Sequence, residues 1–385
     1  MRERGDAGAG GTSGAARRHF FLTDTPEMLA RESLGPEMES REDGLRQGTG
    51  KGNIEWWYFD AKFDDGSKAV VVFLTKPMIE GSGPLKPKLE ITFTRPNGEE
   101  IRDWAICAPE DFRAGAERCD LGIGESSAVG DLETYELRIR GSKLKADLRF
   151  HRIVPSWRSG AGKVYFDEGL KDYLGWVVPI PHGSVEGTLY WPEGERRVAG
   201  SGYHDHNWGN CPIEKVFDYW FWGRVHSGGL TALFFDGLGA GRRKGERLGL
   251  FMLAKDDRIV VREASDYGVA PSRIVADEVR HGRNFPRELT VRARSGATQV
   301  EIGLSEPRIM ERDDMLGGAA PLWLAALLRP FVNPWYYRFA ARFEARVSVE
   351  GSAETARGEG VYELMAFGKA SELGPAERKA LGRDA

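Results

Sequence analysis

The chain has 385 residues, of which 41% are hydrophobic and 29% charged, and its net charge is −4; at ~100–200 residues per domain this length suits two domains, each with its own core. Near-balanced charge excludes a global positive field for nucleic acid or anionic lipid, and the hydrophobic share excludes a disordered chain. Three cysteines without a CxxC pair exclude a disulfide framework and a zinc knuckle; with no run of the ~18 apolar residues that span a bilayer, and no apolar signal-peptide core near the N-terminus, a reducing, cytoplasmic setting is expected.

Residues 1–19 are expected as a disordered tail and 370–385 as a charged one, and the folded part between them divides at residues 20–212 and 213–369. In the first of these, runs of β-branched and aromatic residues lie between turn signals at 54–61, 68–76, 88–95, 134–140, 143–154 and 184–191. Asp65-Gly66 and Asn97-Gly98 follow two of these runs in the manner of antiparallel hairpins. A second series begins after Asn210-Cys211-Pro212, at 217–226, 230–236, 247–254, 258–263, 287–293, 298–304, 337–350 and 360–367. Strands at this spacing, with hardly any amphipathic helix between them, predict an all-β protein of two tandem antiparallel barrels or sandwiches. Gly237-Leu238-Gly239-Ala240-Gly241 resembles a phosphate loop, but it runs into Arg242-Arg243-Lys244-Gly245 and another strand instead of a helix, so it reads as a hairpin loop.

Three segments carry the unusual chemistry. In Gly200-Ser201-Gly202-Tyr203-His204-Asp205-His206-Asn207-Trp208-Gly209, strand alternation puts Tyr203, Asp205 and Asn207 on one face and His204, His206 and Trp208 on the other. A carboxyl facing an apolar interior keeps its proton, so Asp205 is a candidate general acid; the plainer reading is that Asp205 and Asn207 tie a junction together. Glu55, Trp57 and Phe59 share one face of the segment 53–61, and Trp56, Tyr58 and Asp60 the other. Adjacent tryptophans there line a pocket or fill a core, and one of each is expected. Asp218, Trp220, Trp222, Arg224 and His226 form one side of a third aromatic strand that would make the opposite wall. The candidate catalytic residues are thus Asp205, Tyr203 and Asn207, and the candidate substrate-binding residues Glu55, Trp56, Trp57, Tyr58, His204, Trp208, Trp220, Trp222 and His226. His204, His206 and His226 pose a metal question, but a cupin-type site wants a Glu where Asn210 and Cys211 stand, so no metal is expected. The apolar run from Leu316 to Phe331 reads as a lid, as a transient membrane-surface contact or as core packing.

Glu55-Trp56-Trp57-Tyr58-Phe59-Asp60 with Asp64-Asp65-Gly66, then Gly202-Tyr203-His204-Asp205-His206-Asn207-Trp208-Gly209, and more weakly Gly358-Glu359-Gly360-Val361-Tyr362-Glu363, resemble the motifs of a two-domain lipocalin-like family. That family contains AttH-like proteins, acyclic carotenoid 1,2-hydratases and fungal decalin-forming Diels–Alderases. The resemblance implies two lipocalin-like barrels with an apolar ligand site in or between them, working without metal or other cofactor. It further implies that Asp205 stands where the hydratases keep the aspartate that protonates an isolated alkene, whereas the Diels–Alderases fold a linear polyene into its reactive conformer. The leading expectation is intramolecular cyclisation of a hydrophobic polyene or polyketide-type chain, with most of the effect coming from conformational restriction. The alternatives are hydration of an isoprenoid alkene, with Asp205 as acid and Trp57 or Trp220 shielding the cation, and lipid binding without turnover.

Overall fold

The computed structural model describes residues 20–77, 80, 83–279, 283–315, 334–349 and 351–367. Both expected tails and the run from Leu316 to Phe331 lie outside the described residues. The first sheet comprises β1 (Phe21–Leu22), β2 (Ile54–Phe63), β3 (Lys68–Leu74), β4 (Lys88–Thr94), β5 (Glu100–Ile106), β6 (Phe112–Ala114), β7 (Asp120–Ile123), β8 (Ser126–Gly130), β9 (Thr134–Arg140), β10 (Lys145–Arg152), β11 (Trp157–Tyr165), β12 (Tyr173–Trp191) and β13 (Gly194–Gly209). The second comprises β14 (Phe217–Ser227), β15 (Leu230–Gly239), β16 (Arg247–Lys255), β17 (Arg258–Val261), β18 (Asp266–Ala276), β19 (Asn284–Ser295), β20 (Thr298–Asp314), β21 (Trp335–Val349) and β22 (Ser352–Ala366). Among the described residues the only α-helix is α1 (Pro26–Arg31), with Thr25 as its N-cap. No helix among them is long and apolar enough to cross a membrane.

All strand pairings among the described residues are antiparallel. The first sheet runs in the order β5-β4-β3-β2-β13-β12-β10-β9-β8-β7-β6, with β11 on β12 and β1 on β11; the second runs β17-β16-β15-β14-β22-β21-β20-β19-β18. Ile101 of β5 and Phe112 of β6, from the two ends of the first sheet, pack on one core with Trp57, Phe59, Phe73, Tyr135 and Phe150. Val261 of β17 and Val269 of β18 do the same in the second, around Phe221, Phe234 and Phe339. Each sheet therefore curls around its own apolar filling, as the strand spacing predicts.

Asp65-Gly66 turns β2 into β3, with Gly66 at φ +86°, a conformation that a side chain would disfavour. Asn97-Gly98 likewise joins β4 to β5. The glycine-rich segment at 237–241 ends β15 and starts the loop to its hairpin partner β16.

A third cluster lies between the sheets: Trp157, Val178 and Tyr203 of the first meet Phe217, Trp222, Leu233, Phe235 and Met365 of the second. β2, β13 and β14 are thus covered on both faces, which is why their sequences show no plainly polar side. β12 threads the centre of the first sheet despite Pro179 and Pro181. Register shifts between Val177 and Ile180 and again between Ile180 and Gly183 take these residues, which lack an N–H, out of the ladder.

Candidate active site

β2 and β13 pair along ten residues, Asp205 opposite Tyr58, Tyr203 opposite Asp60 and Asn207 opposite Trp56. Period-two alternation then sorts the two motifs. One face of each strand turns into the first barrel; the other borders a cavity of about 780 Å³ between the two sheets. Trp56, Tyr58, Asp60, Asp205 and Asn207 line that cavity from the first sheet, with Trp176 and His182 of β12. Trp220, Trp222, Arg224, His226, Phe235, Leu250, Tyr336, Arg338, Glu363 and Met365 line it from the second.

Asp205 is held by three donors. The Tyr203 hydroxyl reaches its Oδ2 at 2.8 Å, Trp176 Nε1 reaches the same oxygen at 3.1 Å, and Asn207 Nδ2 reaches Oδ1 at 2.9 Å. Burial pushes its carboxyl up to about 6, against the hydrogen bonds from Tyr203 and Trp176 that pull it down. Such a group exchanges its proton near neutrality.

A second polar layer follows along the same strands. Asp60 is buried, which would raise its pKa, but Arg224 and Arg338 override burial and hold its carboxyl below the usual carboxylate range. Arg224 donates to Asp60 Oδ1, Arg338 to Oδ2 at 2.9 Å, and the Tyr58 hydroxyl also to Oδ2 at 2.9 Å. Arg224 lies over the Tyr203 ring at 4.5 Å, so one tyrosine separates the guanidinium layer from the acid. Tyr336 donates to Glu363 at 2.6 Å, and burial raises the Glu363 carboxyl. Farther along the wall the His182 and His226 rings stack at 3.5 Å; burial, then the neighbouring His226, push His182 down to about 3.

The opposite face of the same two strands builds a different cluster inside the barrel. His204 stacks on Phe59 at 3.8 Å and His206 on Trp57 at 4.4 Å. The short 3-10 turn Ser40–Asp43 inserts Asp43 between them: its Oδ2 accepts from the Tyr135 hydroxyl at 2.6 Å and faces His204 Nε2 at 3.1 Å. His206 Nε2 meets Glu55 at 2.8 Å. Burial pushes Glu55 up to about 8 and His206 down to about 3, so both favour their uncharged forms. Asp43, Cys119 and His204 bring one potential ligand atom each within 4.8 Å of one another, making this the described cluster whose donors could hold a cation.

The structure therefore brings Trp56, Tyr58, Asp205, Asn207, Trp220, Trp222 and His226 to one cavity, with Tyr203 hydrogen-bonded to its acid. Glu55, Trp57, His204 and Trp208 do not line that cavity: they sit on the barrel-facing side, and Trp57 is fully buried in the first core, so it is no cation shield. Asp205 faces the space between the barrels, not a barrel interior. His226 stacks on His182 and is not brought together with the His204 and His206 cluster. Sequence reading misses Trp176, His182, Tyr336, Arg338 and Asp43. Only Arg338 leaves a trace, as a charge between the aromatic run Trp335-Tyr336-Tyr337 and Phe339.

Over residues 175–266, from β12 through Asp205 to the aromatic β14 and beyond, the chain matches the family model described as carotenoid hydratase CrtC. The quinolone epoxide rearrangement protein asqO of Emericella nidulans is 25% identical over 198 residues, 48% of this chain and 54% of that protein. The acyclic carotenoid 1,2-hydratase of Thiocapsa roseopersicina is 24% identical over 200 residues, 48% of this chain and 47% of that one. The family resemblance carried by the two motifs holds. The chain spans about half the length of these curated relatives. Among solved structures, CghA with Sch210972 superposes with a TM-score of 0.58 at 14% identity, covering 91% of this chain and 99% of that one. An AttH-type protein from Nitrosomonas europaea gives 0.59 at 17% identity over 86% and 97%. Both share the lipocalin-like two-sheet fold.

Proposed function

We propose that the chain is an enzyme that holds an elongated, largely apolar alkene in the cavity between its sheets and adds water to it, with Asp205 as the acid. The observation that carries this reading is the position of Asp205: buried, raised to about 6 and bordering a cavity of about 780 Å³. The protonated carboxyl gives its proton to one alkene carbon, leaving a cation at the other. Trp56, Trp176, Trp220 and Trp222 offer ring faces that stabilise such a charge without reacting with it. Water attacks the cation, and its surplus proton returns to the Asp205 carboxylate, so the net change is addition of one water with no redox step. Asn207 suits both states of the acid, because its amide donates to the carboxylate and, turned over, accepts from the carboxyl. The match to the carotenoid hydratase model and the likeness to a carotenoid 1,2-hydratase support the same chemistry.

Cyclisation of a polyene held in its reactive conformer, which the sequence ranks first, is the second reading. A cavity with room for a folded chain favours it. The test is to incubate the protein with an acyclic carotene in detergent and D2O. Hydration gives a product heavier by one water with deuterium on carbon, formed by the wild type and lost in Asp205→Asn. A product isomeric with its substrate and retained in Asp205→Asn would replace hydration by cyclisation, and ligand recovered unchanged would leave a binding protein.

A further inference from the structure

Asp205 supplies a proton, but adding water also calls for a group that takes one from the attacking molecule. In enzymes that work with two carboxyls, one protonates the substrate and the other activates water on the opposite face. The carboxyls that line the cavity near Asp205 differ in what their oxygens already do. Asp60 accepts from Arg224, Arg338 and Tyr58, so both of its oxygens are taken. Glu311, on β20, is paired with Arg102 at 3.2 Å.

Glu363 is placed otherwise. It stands on β22 at the wall made by the second sheet, in register with Trp222 of β14 and Arg338 of β21. Its Oε1 accepts from the Tyr336 hydroxyl at 2.6 Å and lies 3.7 Å from Arg338 Nε. Its Oε2 accepts from no described residue and is not sealed off: the side chain keeps 16% exposure, at the cavity wall. One oxygen is held and the other is open.

Two observations set this carboxyl across from the acid. Tyr203, which donates to Asp205, meets the ring of Trp222, the register partner of Glu363, edge-on at 5.5 Å. The Asp205 carboxyl, raised first by burial, is raised further by the charge of Glu363. Burial raises Glu363 as well, against the pull of Arg338, and a raised carboxylate is a better base.

We propose that Glu363 is a second catalytic residue, the base that holds the attacking water on its open oxygen while Asp205 protonates the alkene from the other wall. This rests on the hydration reading. Asp205 gives its proton to one alkene carbon, the water oxygen bonds to the other, and the proton lost by that water passes to Glu363. Glu363 then releases a proton to water and Asp205 takes one up, so the net change is still addition of one water. Proton and hydroxyl come from different walls, which makes the addition anti.

The test follows hydration and proton exchange separately, with an acyclic carotene in detergent and D2O. Glu363→Gln keeps the shape and an acceptor for Tyr336 but takes no proton, and hydration should fall by ~10²-fold or more. Carotene recovered from this variant should still gain deuterium on carbon, because Asp205 goes on protonating the alkene and the cation, lacking activated water, gives a proton back. Asp205→Asn should lose both hydration and exchange. Glu363→Asp keeps the charge beside Arg338 and draws the oxygens back by one methylene; it guards against a folding defect and should show the same split. Hydration at the wild-type rate in Glu363→Gln would overturn the inference, as would folded Glu363 variants that lose exchange together with hydration. A wild type that neither hydrates nor exchanges would remove the hydration reading, and this inference with it.

Discussion

The two faces of β13 bury acids in opposite circumstances. On the barrel side, Asp43 and Glu55 are locked against His204, His206, Tyr135 and backbone N–H groups, with ring stacking closing the remaining space. On the cavity side, Asp205 has three donors and open volume beside it. Both carboxyl sets are buried, and Glu55 is raised further than Asp205. A displaced pKa alone therefore does not pick out the reactive group; room for a second molecule does.

The contrast is sharpest in turnover. Asp205→Asn keeps the shape but cannot deliver a proton, and it is expected to lower turnover by ~10²–10⁴-fold with an unchanged circular dichroism spectrum. Full activity in this variant would remove the distinction between the faces. Asp43→Ala attacks the other side. It strips the acceptor from Tyr135 and the polar partner from His204 Nε2, and the expected loss is ~3–5 kcal/mol of stability in urea unfolding, with the folded fraction still active.

The neighbouring tryptophans divide in the same way. Trp57→Ala empties a core site and should cost ~3–5 kcal/mol. Trp56→Ala, at the cavity wall, should leave most stability in place and raise KM about tenfold, the equivalent of ~1.4 kcal/mol. The reverse pattern would mean that the faces have been assigned the wrong way round.

The smallest effect is on stability against pH. The folded Asp205 titrates near 6, above its ordinary 3.8, so the folded state holds this proton longer than the unfolded chain does. Its contribution is fully present below pH ~4 and is lost as pH rises to ~6. Subtracting the Asp205→Asn unfolding curve from that of the wild type should isolate this slope. Turnover that depends on the acid form should fall over the range above pH ~6.

Much of this arrangement was legible in the residues. Period-two alternation sorted Tyr203, Asp205 and Asn207 from His204, His206 and Trp208, and Trp56 from Trp57, because both strands are regular and pair in continuous register. What alternation cannot say is which face looks into a barrel and which toward a second sheet, so the sequence leaves Trp57 a part in the chemistry that its burial forbids. Arg338 and Glu363 reach the site from the second sheet, more than a hundred residues along the chain, and Trp176 from the neighbouring strand β12, where it stands opposite Asn207; no local pattern gives these positions. Asp43 arrives from a 3-10 turn with no strand signal at all. The early part of β12 lies outside the predicted run at 184–191; Pro179 and Pro181 argue against a strand there, and only the bulges reconcile them with the sheet.

The doubly used strand β13 also constrains how such a protein can change. Inserting or deleting one residue between 202 and 208 would carry the histidines to the cavity and Asp205 into the barrel, so the segment behaves like a reading frame in which length is fixed. New specificities can then arise by exchanging side chains at alternate positions of β13 and of its neighbours β2 and β12, or by altering the facing wall on β14, β21 and β22, where neither barrel-side histidine has to move.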